Sequence, residues 1–288
     1  MRIAGAPISW GVCEVPDWGV QLEPERVLGE MRELGLEATE FGPQGWLPEE
    51  PDRRSDMLRN AGLRAVGAFV PVLLHDSEHD PVPGVARELD AFDAAGGDTL
   101  VLAAATGAEG YDARPVLTEQ QWQTLFGNLD RLVDLAESRG IRPTLHPHVG
   151  TLIETRDEVL RVMNGSKAPL CLDTGHLLIG GTDPAWLARE FPNRITHVHA
   201  KDVSTALAER VRSGELTYTD AVRQGIYVPL GTGDVDFASI VAVLTEAGYD
   251  GWYVLEQDTI LSDVPAEDGG PAHDVAASLE YLRSLSTR

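Results

Sequence analysis

The sequence predicts an α/β fold, a (β/α)8 TIM barrel formed as a single domain. Three observations carry this prediction. Eight short β-like runs recur along the chain, amphipathic helical patterns fill most gaps between them, and no composition break or linker divides the 288 residues. That length suits one barrel.

The strand-like runs are RIAGAPISW (2–10), LEATEFGP (36–43), LRAVGAFVPV (63–72) and DTLVLAAA (98–105). They continue with IRPTLHPH (141–148), APLCLDTGH (168–176), RITHVHAKD (194–202) and GWYVLEQD (251–258). Each is short, apolar at its centre and closed by polar or glycine-rich residues. In PERVLGEMRELG (24–35), Val27, Leu28, Met31 and Leu34 fall at helical spacing and Gly35 stands where a helix C-terminus belongs. GVARELDAFDAAGG repeats the pattern, and the long run LTEQQWQTLFGNLDRLVDLAESRG ends at Gly140. In ETRDEVLRVMNG, Thr155 followed three residues later by Glu158 reads as a capping box. DFASIVAVLTEAGYDG and DVAASLEYLRSLS complete the helices. Residues 203–230 form the longest gap between strands, and a helical insertion covering one end of the barrel is expected there, within one domain spanning 1–288.

No G-x-G-x-x-G follows the first strand and no Walker loop occurs. GTGDVDF (231–237) is glycine-rich but lacks a lysine, so it reads as a turn and helix cap. The chain is 43% hydrophobic and 24% charged, with a formal net charge of −23. Such an acidic chain is poorly suited to phosphate backbones or anionic membranes, so neither nucleic acid nor a membrane is expected as a partner. Two cysteines, Cys13 and Cys171, form no disulfide framework. No signal-peptide hydrophobic block follows the N-terminus. No apolar run approaches the roughly 20 residues that span a bilayer. A cytoplasmic location is expected.

Active sites of such barrels lie at the C-terminal ends of the strands. The polar side chains of this sequence concentrate there. The fifth strand ends in His146 and His148, and the sixth in Asp173 and His176. The seventh ends in His197, His199, Lys201 and Asp202, and the eighth in Glu256 and Asp258. Strand side chains alternate faces, so His146 shares a face with His148, His199 with Lys201, and Glu256 with Asp258. Four consecutive strands thus each offer one nitrogen or carboxylate donor at similar height: His146, Asp173, His199 and Glu256. Two imidazoles and two carboxylates suit a divalent metal such as Mn, Co, Fe or Zn. Taken singly, each residue has a plainer role, since Asp173 could cap the next helix and Glu256 could pair with an arginine. The joint pattern favours the metal. His197 reads as a satisfied core histidine, and His75, His79 and His273 as solvated. Trp10 and Trp46 lie at or past strand ends, where they either shape a sugar pocket or pack.

GAPISWG, ATEFGP, HPHVGTLIET, CLDTGH, HVHAKD and GWYVLEQD resemble the xylose-isomerase-like sugar isomerase and epimerase superfamily. Within it they are most similar to the inosose dehydratase (2-keto-myo-inositol dehydratase) branch, and the resemblance spans essentially the whole chain. It implies a TIM barrel with a divalent metal, manganese or cobalt first, with zinc, iron or magnesium as alternatives. It implies ligand roles for His146, Asp173, His199 and Glu256, the four that spacing selects. It also implies catalytic, substrate-facing roles for Glu40, His148, His176 and Lys201. The dehydratase branch carries a lysine on the third strand and a glutamate on the fourth. Here those strands end in GAFVPV and LAAAT, and the next acidic residues, Glu78 and Glu109, lie in loops.

The expected reaction is loss of an α-proton and a β-hydroxyl from a keto-inositol or keto-sugar, with a metal-stabilised enolate between the two steps. The expected partner is therefore a small polyol or sugar. An isomerase or epimerase would use the same enolate, as would a lyase cleaving 3-keto-glycosides. A repair nuclease on this barrel would need a basic groove, which the −23 charge opposes. A catalytically dead sugar-binding protein would not need all four ligands plus Lys201. Barrels of this kind often dimerise, so a homodimer is the oligomer expected. Most members of the superfamily carry a glutamate where His146 stands. A neutral imidazole leaves the metal one unit more positive, which favours elimination.

Overall fold

The structure, a computed structural model, describes residues 1–108, 110–266 and 269–286. Glu109 lies outside the described residues. Nine parallel strands make the main sheet. They are β1 (Arg2–Gly5), β2 (Ala38–Thr39), β3 (Arg64–Ala65), β4 (Gly67–Val72), β5 (Thr99–Ala104), β6 (Arg142–Leu145), β7 (Leu170–Asp173), β8 (Ile195–Ala200) and β11 (Trp252–Leu255). The remaining pair, β9 (Asp202–Val203) and β10 (Tyr227–Val228), is a separate antiparallel ribbon.

The sheet order is β3-β2-β1-β11-β8-β7-β6-β5-β4. Its two edge strands are one stretch of chain, residues 64–72, interrupted at Val66. β3 pairs with β2, and β4 pairs with β5 in six registered positions from Gly67↔Thr99 to Val72↔Ala104. The third predicted strand therefore serves both edges, and eight strand runs form a closed barrel. Gly67 makes the seam feasible: a Cβ there would lie 1.7 Å from the Thr99 carbonyl oxygen.

Alternation along β1 separates lumen from exterior. A Cβ on Gly5 would point at Leu36 and Met31 on the helical side, so Ala4 and Ala6 face inward. They form a small buried cluster with Ala38, Val66, Trp252 and Val254. The guanidinium of Arg2 stacks 4.0 Å from the Trp252 ring at the closed end. The larger apolar cluster lies between the strands and their helices. Narrow lumen residues below leave the mouth free for polar groups.

The six helices expected from periodicity are present within about a turn at either end. They are Pro24–Glu33, Val82–Ala95, Glu119–Ser138, Arg156–Gly165, Phe237–Glu246 and Pro271–Leu285. Glu158 accepts from the Thr155 backbone N–H at 2.8 Å, as its capping-box spacing requires. Three further helices, Pro51–Asn60, Thr174–Ile179 and Pro184–Glu190, escape the periodicity reading. Residues 203–230 carry two short helices, Thr205–Arg212 and Tyr218–Arg223, tied at their base by the β9–β10 ribbon. Asp202 accepts from the N–H groups of Val203, Gly231, Gly233 and Val235, which wraps GTGDVDF into a turn, and Asp236 then caps the next helix through Ser239 N–H. No helix among the described residues is long and apolar enough to cross a membrane.

Candidate active site

A cavity opens at the C-terminal mouth of the barrel. His146, His148, His199, Lys201, Glu256, Asp258 and Glu40 line its polar part. Several of these lie just past the regular strands. β6 ends at Leu145 and β11 at Leu255, so His146, His148, Glu256 and Asp258 belong to the first loop residues rather than to the strands. The shared inward faces expected from alternation persist into those residues.

Asp173 sits at the centre, fully buried. Its Oδ1 caps the short helix that follows by accepting from His176 N–H at 2.8 Å. Its Oδ2 lies 2.9 Å from His146 Nε2, 3.6 Å from His199 Nδ1 and 3.6 Å from Lys201 Nζ. One carboxylate therefore serves as both cap and site residue. Glu256 Oε2 lies 3.1 Å from His199 Nδ1, and among the described residues it pairs with no arginine. Donor atoms of Asp173, His199 and Glu256 all fall within 4.8 Å of one another, and so do those of His146, Asp173 and His176.

This donor set fits one divalent cation. Ligands bound at about 2.0–2.2 Å stand roughly 3 Å from their neighbours around a shared ion. The 2.9, 3.1 and 3.6 Å separations here are of that size. His199 Nδ1 is buried and has no hydrogen-bond partner, although two carboxylates face it. Buried imidazoles and carboxylates of this arrangement can hold a metal ion.

Lys201 stands beside this group. Its ammonium donates to Asp258 Oδ1 at 2.6 Å and to His176 Nε2 at 3.0 Å, with Glu256 Oε2 at 3.1 Å. Those three contacts employ all three of its protons. Burial alone would lower the Lys201 pKa, but Asp173, Asp258 and Glu256 hold it well above the usual lysine range. Burial would likewise raise Asp173. The charge of Lys201 and the adjacent imidazoles outweigh that and keep its carboxyl well below the usual range.

His148 and His176 stack with ring centroids 3.6 Å apart. Burial first, then neighbouring imidazoles and Lys201, push both well below the usual histidine range, so both are neutral. The Val149 carbonyl, which only accepts, lies 2.6 Å from His148 Nδ1. His148 therefore carries its proton on Nδ1 and keeps a bare Nε2.

Glu40 Oε1 lies 2.9 Å from His197 Nε2 and 3.0 Å from His199 Nε2. His197 is fully buried and touches no part of the cavity surface. Trp10 is also fully buried and donates to Glu30, while Trp46 donates to the Leu22 carbonyl. Both pack, and the tryptophan that lines the cavity is Trp18.

Two site tyrosines escape the sequence reading. Tyr218 Oη donates to Asp258 Oδ2 at 2.6 Å and lies 3.0 Å from Tyr227 Oη, which is 3.4 Å from His176 Nδ1. Both come from residues 203–230, and neither LTYTDA nor IYVPL carries a motif that would flag them. Tyr111, hydrogen-bonded to Glu14, closes the cavity over His148 at a ring separation of 4.5 Å.

A closed parallel barrel whose C-terminal mouth gathers imidazoles, carboxylates and a lysine defines a class: TIM-barrel proteins whose buried mouth residues could hold a metal ion. The chain belongs to the xylose isomerase-like TIM barrel family, whose profile matches residues 28–285. It is 32% identical over 275 residues to an inosose dehydratase of Geobacillus kaustophilus (strain HTA426), covering 89% of this chain and 87% of that protein. It is 32% identical over 267 residues to the rhizopine catabolism protein MocC of Rhizobium meliloti, covering 90% of this chain and 82% of that one. Among solved structures, the probable 3-DHS dehydratase AsbF of Bacillus anthracis superposes with a TM-score of 0.70 at 16% identity, covering 98% of this chain and 99% of that one.

Proposed function

We propose that the protein is a metal-dependent carbon–oxygen lyase that dehydrates a keto-inositol or a closely related keto-sugar. The observation that carries this reading is the pairing, across one cavity, of a neutral His148 with a bare Nε2 and a charged Lys201. Elimination needs a base for one proton and an acid for the leaving group. The full-length similarity to an inosose dehydratase supports the same chemistry.

His146, Asp173, His199 and Glu256 would hold the ion; the donors suit Mn, Co, Fe or Zn alike, and the family resemblance puts manganese or cobalt first. Bound there, a divalent cation supplies Lewis acidity toward a carbonyl oxygen. His148 Nε2 takes the proton from the carbon next to the ketone. The electron pair left behind becomes the new C=C bond as the β C–O bond breaks. Lys201 gives its proton to the departing hydroxyl, which leaves as water, and exchange with solvent restores both groups. Asp258 and His176 hold Lys201 in place and stabilise its charge between turnovers. Trp18, Phe69 and Tyr111 keep bulk water from the opposite side of the substrate.

The test is a panel of keto-inositols and keto-sugars incubated in deuterated water with manganese or cobalt. Growth of enone absorbance on an inosose is the expected result. Deuterium uptake without enone would overturn dehydration in favour of epimerisation, which several fold neighbours perform.

A further inference from the structure

Glu40 follows β2 and reaches across the lumen to β8, where its carboxylate is buried against two imidazoles. An ionised carboxylate only accepts hydrogen bonds. His197 Nε2 and His199 Nε2, at 2.9 and 3.0 Å from the same oxygen, are therefore both donors. An imidazole that binds a metal is neutral and has one N–H, so a ligating His199 keeps its lone pair on Nδ1. That atom is buried and without a hydrogen-bond partner, and it faces Glu256 Oε2 at 3.1 Å and Asp173 Oδ2 at 3.6 Å. A lone pair converging with two carboxylate oxygens is repulsive unless a proton or a metal cation lies among them. The opposite tautomer would turn a lone pair onto Glu40 and move that repulsion to the other side of the ring.

We propose that Glu40 is a positioning residue: it fixes His199 as the Nε2–H tautomer and so aims Nδ1 at the metal ion. His197 has a defined part in this arrangement. By sharing Oε1 it braces the carboxylate from below, which explains a polar side chain deep in the lumen. Glu40 thereby acts on the ion through His199, in addition to lining the cavity. The inference rests on the reading of His199 as a metal ligand.

Two measurements test it, neither using turnover. The first is chelator competition for Co2+ with wild type, Glu40→Ala, Glu40→Gln and Asp173→Ala. Loss of a carboxylate that orients a ligating histidine costs about 10–100-fold in metal affinity, so Glu40→Ala should weaken by that much. Glu40→Gln, which keeps an acceptor oxygen, should fall between it and wild type, and Asp173→Ala should lose binding. The second is the long-range proton–nitrogen correlation spectrum of the imidazoles in wild type, ion-free and zinc-loaded. The expected pattern is the Nε2–H tautomer for His199 in the loaded form, with Nε2–H retained in the ion-free form. A Glu40→Ala affinity within about twofold of wild type, or an Nδ1–H tautomer, would overturn the proposal. Should Glu40→Ala fail to fold, Glu40→Gln and the wild-type spectra decide. Full metal retention by Asp173→Ala would instead overturn the metal reading, and the ion-free spectrum still judges the Glu40 contact.

Discussion

The two halves of the barrel mouth are built on opposite principles. Over β6, β7, β8 and β11 the cavity wall is made of His146, His148, His199, Lys201, Glu256 and Asp258, each held by at least one polar neighbour. Over β4 and β5 the strands end in Pro71, Val72, Ala103 and Ala104, and the side chain turned to the cavity is Phe69. Trp18, Ile8 and Pro43 continue that apolar wall. A hydroxyl pointing at this side would lose water without gaining a partner, which costs more than a hydrogen bond gives. In the proposed reaction the polar half would supply the reacting groups, and the apolar half would select the face of the substrate by refusing polar groups. The third and fourth strands, where the resemblance leads one to expect a lysine and a glutamate, contribute Phe69 to the cavity instead.

If this division holds, substitutions in the two halves affect different kinetic constants. The largest effect is expected from His148→Ala, which removes the base: kcat should fall by about 10²–10⁴-fold, with bound metal unchanged by elemental analysis. A fall of less than tenfold would place the base elsewhere in the polar half. A smaller and different effect is expected from Phe69→Ala. Its loss opens the apolar wall, so KM should rise by about 10-fold with kcat changed little. A matching collapse of kcat would erase the distinction between the halves.

Much of the polar half is legible in the sequence, for a physical reason. Parallel strands buried on both faces are apolar runs, so an imidazole or carboxylate at a strand's end stands out against them, and the period of two tells which residues share its face. His146, Asp173, His199 and Glu256 are picked out this way; the structure puts donor atoms of Asp173, His199 and Glu256 within 4.8 Å of one another and His146 2.9 Å from Asp173. Alternation gives the face but not the partner. That Glu40 meets His199 across 159 positions, or that Tyr218 meets Asp258 across 40, depends on barrel closure. The apolar half is harder still, because Phe69 and Trp18 look in sequence like any packing residue. The same limit applies to Trp10 and Trp46, which are equally aromatic yet pack, the first buried and the second half-buried. The eight strand runs are legible in order, whereas the splitting of residues 64–72 between two neighbours is not, since nothing local to Val66 announces it.

The proposed reaction requires the polar half to be a metal centre. The most direct measurement is the divalent metal content of purified wild type and Asp173→Ala after equal exposure to manganese or cobalt. Wild type should carry about one ion per chain and the variant close to none, with both folded by circular dichroism. Equal metal in the two proteins would contradict the account.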